Sequence, residues 1–247
     1  MAAARLRAPG RAPRPAASER PSAAAVLARV PYFRSLSSAQ LQGVARSCSW
    51  RALAAGETVF EEGAPCTHLL VIASGRIEVR QTSWRGREQV FHTEQPGAAL
   101  GEAPLFDGGG YIASAVAVEP ACLLALARPR LIALCRDHPD VALALVETLA
   151  RRVRRFAGIV SDLAFRPVPE RLARYLVGTA EPGSLAPGLE LDLALTQAQL
   201  AARLGTVREL VARALAHLER TGILSRRGRR VVVRDPARLH ALAEGGE

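Results

Sequence analysis

The chain has 247 residues, enough for one large domain or two small ones, each with its own core. Its 33 basic residues are all arginine and outnumber the 23 acidic ones, for a formal charge of +10, a balance that fits a polyanionic partner or a solvated surface in a GC-rich proteome. No apolar run reaches the length of a membrane span, so a soluble, cytoplasmic protein with no membrane partner is expected. Cys48, Cys66, Cys122 and Cys135 lack the C-x-x-C spacing of a zinc or iron–sulfur site and read as small buried apolar residues.

Residues 1–24 are rich in Ala, Arg, Pro and Ser and contain no secretory h-region, so a disordered tail is expected. Val26, Leu27, Val30, Phe33, Leu36, Leu41 and Val44 then mark a short helical patch, with Ser37 or Ser38 as a cap. From 53 to 127 short strand-like runs alternate with turn signals. They include Glu57–Phe60, His68–Ile72, Ile77–Arg80, Val90–Phe91, Ala115–Val118 and Cys122–Leu126, with a hairpin tip at Arg85-Gly86-Arg87. Many short strands with regular Gly and Pro punctuation predict an antiparallel sandwich or jelly roll. With the preceding helices it forms a domain over 25–128.

The pattern turns helical over 129–165, where Pro139 is placed to open the longer helix. Val146, Leu149, Val153, Phe156, Val160 and Leu163 recur at alternating spacings of three and four, which is a coiled-coil seam. The seam fits a helix packed on its own domain or a homodimer. Arg151, Arg152, Arg154 and Arg155 keep the helix too polar for full burial and favour the homodimer. Pro167 and Pro169 break the pattern and open a last domain over 166–247, with three helical segments and a basic hairpin.

The chemistry concentrates in that domain. Thr196-Gln197-Ala198-Gln199 has the form of a capping box, so a helix starts there, and Gly205 supplies a tight turn. A second helix runs to about Arg220. Its Val211, Ala214, Leu215 and Leu218 share one face, and Arg208, Glu209, Ala212, Arg213 and Ala216 lie on another. Arginine presents two donors to guanine and glutamate accepts from cytosine, so Arg208, Glu209 and Arg213 are candidates for reading base edges. The plainer alternatives are an i,i+4 pair between Glu209 and Arg213 and a capping box from Thr206 to Glu209. Arg226, Arg227, Arg229 and Arg230 surround Gly228 on a hairpin tip, placed like a wing to meet phosphates. Thr196, Gln197 and Thr206 at the helix starts join them.

Over about residues 26–240 the chain resembles the CRP/FNR family of transcription regulators. The resemblance is carried by Leu195-Thr196-Gln197, Leu204-Gly205-Thr206-Val207-Arg208-Glu209, Arg213, Leu218-Glu219-Arg220 and Gly222-Ile223-Leu224. Gly56-Glu57, Glu62-Gly63, Ser74-Gly75 and Pro96-Gly97 through Gly101-Glu102 to Leu105-Phe106 add to it. It implies an α+β architecture: a β-roll sensor domain, a long dimerisation helix and a C-terminal winged helix-turn-helix. It also implies a homodimer on palindromic double-stranded DNA, with half-sites one helical turn apart and similar to GTGA or TTGA, and RNA polymerase as a partner.

Cyclic-nucleotide binders of the family follow a Gly-Glu pair, about ten residues on, with Arg-Ser or Arg-Thr. Here Gly101 and Glu102 are followed by Ile112, Ala113 and Ser114, and no arginine lies between Arg87 and Arg128. A phosphate would lack its charge-assisted partner, so the effector is expected not to be cyclic AMP. Effector-independent DNA binding is an alternative. Haem-based gas sensing, with His68 and His92 as weak ligand candidates, is another. An iron–sulfur cluster is not expected. A cupin-like metalloenzyme, the remote alternative, would need converging histidines and a carboxylate that the pattern does not offer, so no enzymatic activity is expected.

Overall fold

The computed structural model describes residues 21–246 apart from Arg87, Ala194 and Arg229. Residues 1–20 of the tail expected over 1–24, and the tip residue Arg87, therefore lie outside the described residues. The chain divides into two compact units, one made of residues up to 79 and 92–151, the other of 80–91 and 152–247. No helix among the described residues is long and apolar enough to cross a membrane.

In the first unit, α1 (Ala23–Leu27) is capped by the Ser22 side chain, so Ala23 and Ala24 belong to a helix rather than to a tail. After a 3-10 turn at Pro31–Phe33, α2 (Ser38–Ala45) starts on a full capping box between Ser37 and Gln40. Eight strands follow in two four-stranded sheets. One is ordered β1 (Cys48–Leu53), β8 (Ala121–Ala127), β3 (His68–Ser74), β6 (Ala99–Leu100); the other is ordered β2 (Thr58–Phe60), β7 (Ser114–Ala117), β4 (Ile77–Thr82), β5 (Glu88–Glu94). This is the expected antiparallel roll, α+β with the helices that flank it.

Strands β3 and β8 pair centrally, with Leu70 opposite Ala125 and Ile72 opposite Leu123. Helices α1 and α4 (Arg128–Asp137) lie against them, so both strands are apolar along nearly their whole length rather than alternating. Strand β1 begins before the expected start of the strand region. It pairs with β8 from Cys48 opposite Leu126 to Leu53 opposite Ala121. A short helix, α3 (Glu102–Asp107), interrupts the strands.

Helix α5 (Pro139–Phe165) has 27 residues and the predicted bounds. It passes through both compact units, the change falling between Arg151 and Arg152, so 129–165 is not a separate piece. The second unit continues with α6 (Val168–Thr179), β9 (Glu190–Asp192), α7 (Gln197–Leu204), α8 (Arg208–Arg220), the hairpin β10 (Leu224–Arg227) and β11 (Arg230–Val233), and α9 (Pro236–Glu244). The expectation of three helical segments is corrected to four. Asp235 caps α9 through the Arg238 N–H, and Pro236 opens it. A single core of Leu172, Leu176, Leu200, Val211, Leu218 and Val231 holds these helices to the three-stranded sheet β10-β11-β9.

Candidate nucleic-acid interface

Helix α7 starts where the capping box places it: Thr196 accepts from the Gln199 N–H at 3.2 Å, and Gln199 Oε1 accepts from the Thr196 N–H at 2.8 Å. Gly205 ends α7 in the left-handed region at φ 64°, and a Cβ there would collide with Leu163 Cδ2 and Gln89 Oε1. Glycine is thus needed for both the conformation and the close approach. Helix α8 starts after Val207 with no side-chain cap, so the Thr206–Glu209 capping box does not form.

The two faces of α8 separate cleanly. Val211, Ala214, Leu215 and Leu218 are buried, whereas Arg208, Glu209, Arg213 and Ala216 are exposed. Among the described residues none of Arg208, Glu209 and Arg213 has an ion-pair partner, so the Glu209–Arg213 helix pair is also not formed. Three groups suited to base edges therefore stand side by side and uncommitted. The structure adds two residues that sequence reasoning did not single out. His217 and Arg220 line, with Arg213, a groove of about 560 Å³ against Val168 and Pro169 of α6. Their spacing of four and seven from Arg213 carried the signal, since it puts all three on one helix face.

The wing is less free than its sequence suggests. Arg226 is tied to Glu219 at the end of α8, with Nη2 at 2.6 Å, Nε at 2.8 Å and the backbone N–H at 3.0 Å from the carboxylate. These bonds hold the Glu219 carboxyl below its usual range and the Arg226 guanidinium above its own. Arg226 is thus corrected from a free phosphate contact to a brace between helix and wing. Arg227 and Arg230 share the Glu190 carboxylate at 3.6 and 3.0 Å but remain 69% and 61% exposed, leaving net positive charge at the tip. Arg229 lies outside the described residues. We expect Arg227→Ala to weaken all DNA sequences alike and to reduce the salt slope of binding by about one. Arg226→Ala should instead leave that slope unchanged and lower the thermal midpoint; a salt titration on both variants separates the two roles.

The expected effector residues differ in their surroundings. Gly101 (φ 96°) opens α3, where a Cβ would come within 3.1 Å of Cys66 Sγ and of the His68 carbonyl. Glu102 is only 1% exposed and accepts a long hydrogen bond, 3.5 Å, from the Tyr32 hydroxyl. Ile112 is 62% exposed, Ala113 is buried, and Ser114 Oγ accepts from the Glu62 N–H at 3.0 Å. Tyr111 instead turns inward and stacks on Phe60, ring centroids 3.6 Å apart. Ile112 is therefore corrected from a pocket-lining position to a solvent-facing one.

His68 and His92 stand on strands of different sheets. His68 Nδ1 is 2.8 Å from Thr67 Oγ1, and His92 Nε2 is 3.3 Å from Glu94 Oε1. Among the described residues no three His, Cys, Asp or Glu side chains gather as a metal site. Burial raises the thiols of Cys66 and Cys135, and that of Cys48 to about 11, which disfavours thiolate chemistry at neutral pH.

Along α5 the expected seam splits. Val146, Val153 and Val160 are 60%, 67% and 64% exposed. Leu149, however, packs against the first unit's core and Phe156 meets Phe91 edge-on at 5.5 Å, while Leu163 lies on Gly205 and stays 43% exposed. Leu143, Ala150, Ala157 and Ala164 are exposed instead, and with the three valines they form an unbroken apolar row at alternating spacings of three and four.

Comparison with known proteins agrees with both halves. Residues 50–138 match the cyclic nucleotide-binding domain and residues 170–242 the Crp-like helix-turn-helix domain. A CRP-like cAMP-activated global transcriptional regulator of Mycobacterium tuberculosis is 30% identical over 220 residues, 87% of this chain and 96% of that protein. The Cyclic AMP receptor protein of Thermus thermophilus is 36% identical over 190 residues, 77% of this chain and 86% of that one. The structure of the c-di-GMP responsive global regulator CLP of Xanthomonas campestris superposes with a TM-score of 0.67 at 26% identity, covering 76% of this chain and 95% of that one.

Proposed function

Because the chain belongs to the CRP/FNR family of transcription regulators, with a DNA-binding helix-turn-helix and no enzymatic role, we propose that it acts as a homodimer on a palindromic site. Arg208, Glu209 and Arg213 of α8 read bases in the major groove of each half-site. Thr196, Gln197, Thr206, Arg227 and Arg230 contact phosphates, joined by His217 and Arg220 along the groove beside α6. The observation that carries this reading is the open face of α8, whose three polar readers have no partner while the opposite face is fully buried. The dimer forms through the row from Leu143 to Ala164, in which alanine every seventh residue lets two helices approach closely. Bound to its site in the cytoplasm, the dimer presents itself to RNA polymerase.

The effector is a ligand other than cyclic AMP. Ile112 and Ala113 stand where nucleotide-binding relatives carry a charged and a hydroxyl side chain, so a cyclic phosphate would lack its charge-assisted partner. A second reading, DNA binding with no effector, is favoured by the Tyr111–Phe60 stack and the buried Glu102, which fill this part of the roll with the chain's own side chains. Fluorescence anisotropy with a labelled duplex tests both readings. Affinity should fall steeply with salt, and cyclic AMP at about 1 mM, a concentration matching only weak binding, should leave it unchanged. A cyclic-AMP-dependent rise in affinity would contradict the effector assignment, and salt-independent binding would contradict the DNA reading.

A further inference from the structure

Arg171, in the first turn of α6, points at the end of α7. Its Nη1 donates to the Leu204 carbonyl and, at 3.5 Å, to that of Gly205. These are the terminal carbonyls of α7, which have no partner within the helix and carry the negative end of its dipole. Among the described residues the buried guanidinium Nε has no hydrogen-bond partner; burial opposes the charge, and the carbonyls and Asp162 favour it. Asp162 belongs to the last turn of α5 and also lies 3.2 Å from Arg166 Nε and 3.1 Å from Arg174 Nη1. Leu163, the next residue, is the side chain pressed on Gly205. The end of α5 thus reaches the turn before α8 by two routes, packing through Leu163 and charge through Arg171.

We propose that Arg171 is a positioning residue for DNA reading: by clamping the Leu204 and Gly205 carbonyls it sets the angle at which α8 leaves the turn, and so the reach of Arg208, Glu209 and Arg213. This rests on the DNA-reading assignment. One nitrogen, Nη1, serves both carbonyls, and the permanent charge of the guanidinium complements the negative end of α7; a lysine keeps the charge but presents it as a compact point donor.

The test uses the full chain and its Arg171→Met and Arg171→Lys variants, each bound to a palindrome selected by the wild-type chain from a random duplex library and to a random duplex of equal length at two salt concentrations. Active fractions are fixed by stoichiometric titration. Arg171→Met should lose about tenfold or more in affinity for the palindrome, with affinity for the random duplex and the salt slope unchanged; Arg171→Lys should recover part of the loss. Equal loss on both duplexes would mean a role in folding alone, a slope reduced by about one would mean a direct phosphate contact, and no loss would mean no role. Each of these overturns the proposal. A wild-type chain that does not distinguish the two duplexes would overturn the DNA-reading assignment itself.

Discussion

Val153→Glu is expected to convert the proposed dimer to a folded monomer and to lower affinity for the full site by about 10²–10⁴-fold, the gain lost when two half-sites are no longer engaged together. Val153 is 67% exposed in the single chain, so the substitution touches no intrachain core and should shift the thermal midpoint little. In the proposed dimer the same position would be buried at the seam, where two carboxylates would face each other, each with a desolvation cost of about several kcal/mol. Sedimentation and anisotropy on one preparation check both parts. A variant that stays dimeric would move the interface elsewhere. A monomer with unchanged affinity would show that the two half-sites are read independently.

Arg213→Ala should cost about 1–3 kcal/mol at each half-site, and a two-fold complex loses that amount twice. The loss should fall on one base position: duplexes changed there should no longer be discriminated, while those changed elsewhere still are. Arg208→Ala should behave alike at a different base. The salt slope should hold in both variants, which separates them from Arg227→Ala at the wing. Exposure without an ion-pair partner makes these substitutions clean, because no structural bond is removed with the arginine.

Much of this architecture is written in short-range signals. Pro139 and Pro167 bracket α5, and the Thr196–Gln199 box and Gly205 frame α7, because caps and breakers act within one helical turn. Strand β1 escaped notice because Cys48-Ser49-Trp50-Arg51 follows α2 without Gly or Pro to announce it; only its pairing with β8 reveals it. Helix α9 did carry a signal, Asp235 followed by Pro236.

The recognition face was legible because burial of one side of α8 dictates exposure of the other. Its partners were not. The bonds from Arg226 to Glu219 and from Arg230 to Glu190 cross from one element to another, a pairing that the period of a single helix or strand does not encode. The seam shows a different limit. Val146, Val153 and Val160 are flanked by two rows with the same repeat: Leu149, Phe156 and Leu163 on one side, Ala150, Ala157 and Ala164 on the other. Periodicity accepts either row. Leu149 and Phe156 turn to the chain's own core and to strand β5, and Leu163 touches the turn at Gly205 while staying exposed; the alanines face outward.

The claim that the chain reads a two-fold DNA site through α8 is tested most directly by selecting bound sequences from a random duplex library with the full protein, in parallel with Arg213→Ala. The wild-type pool should converge on a palindrome whose half-site centres lie about 10 base pairs apart, and the variant pool should lose preference at one position in each half-site. A pool that stays random, or a palindrome that Arg213→Ala leaves unaltered, would contradict it.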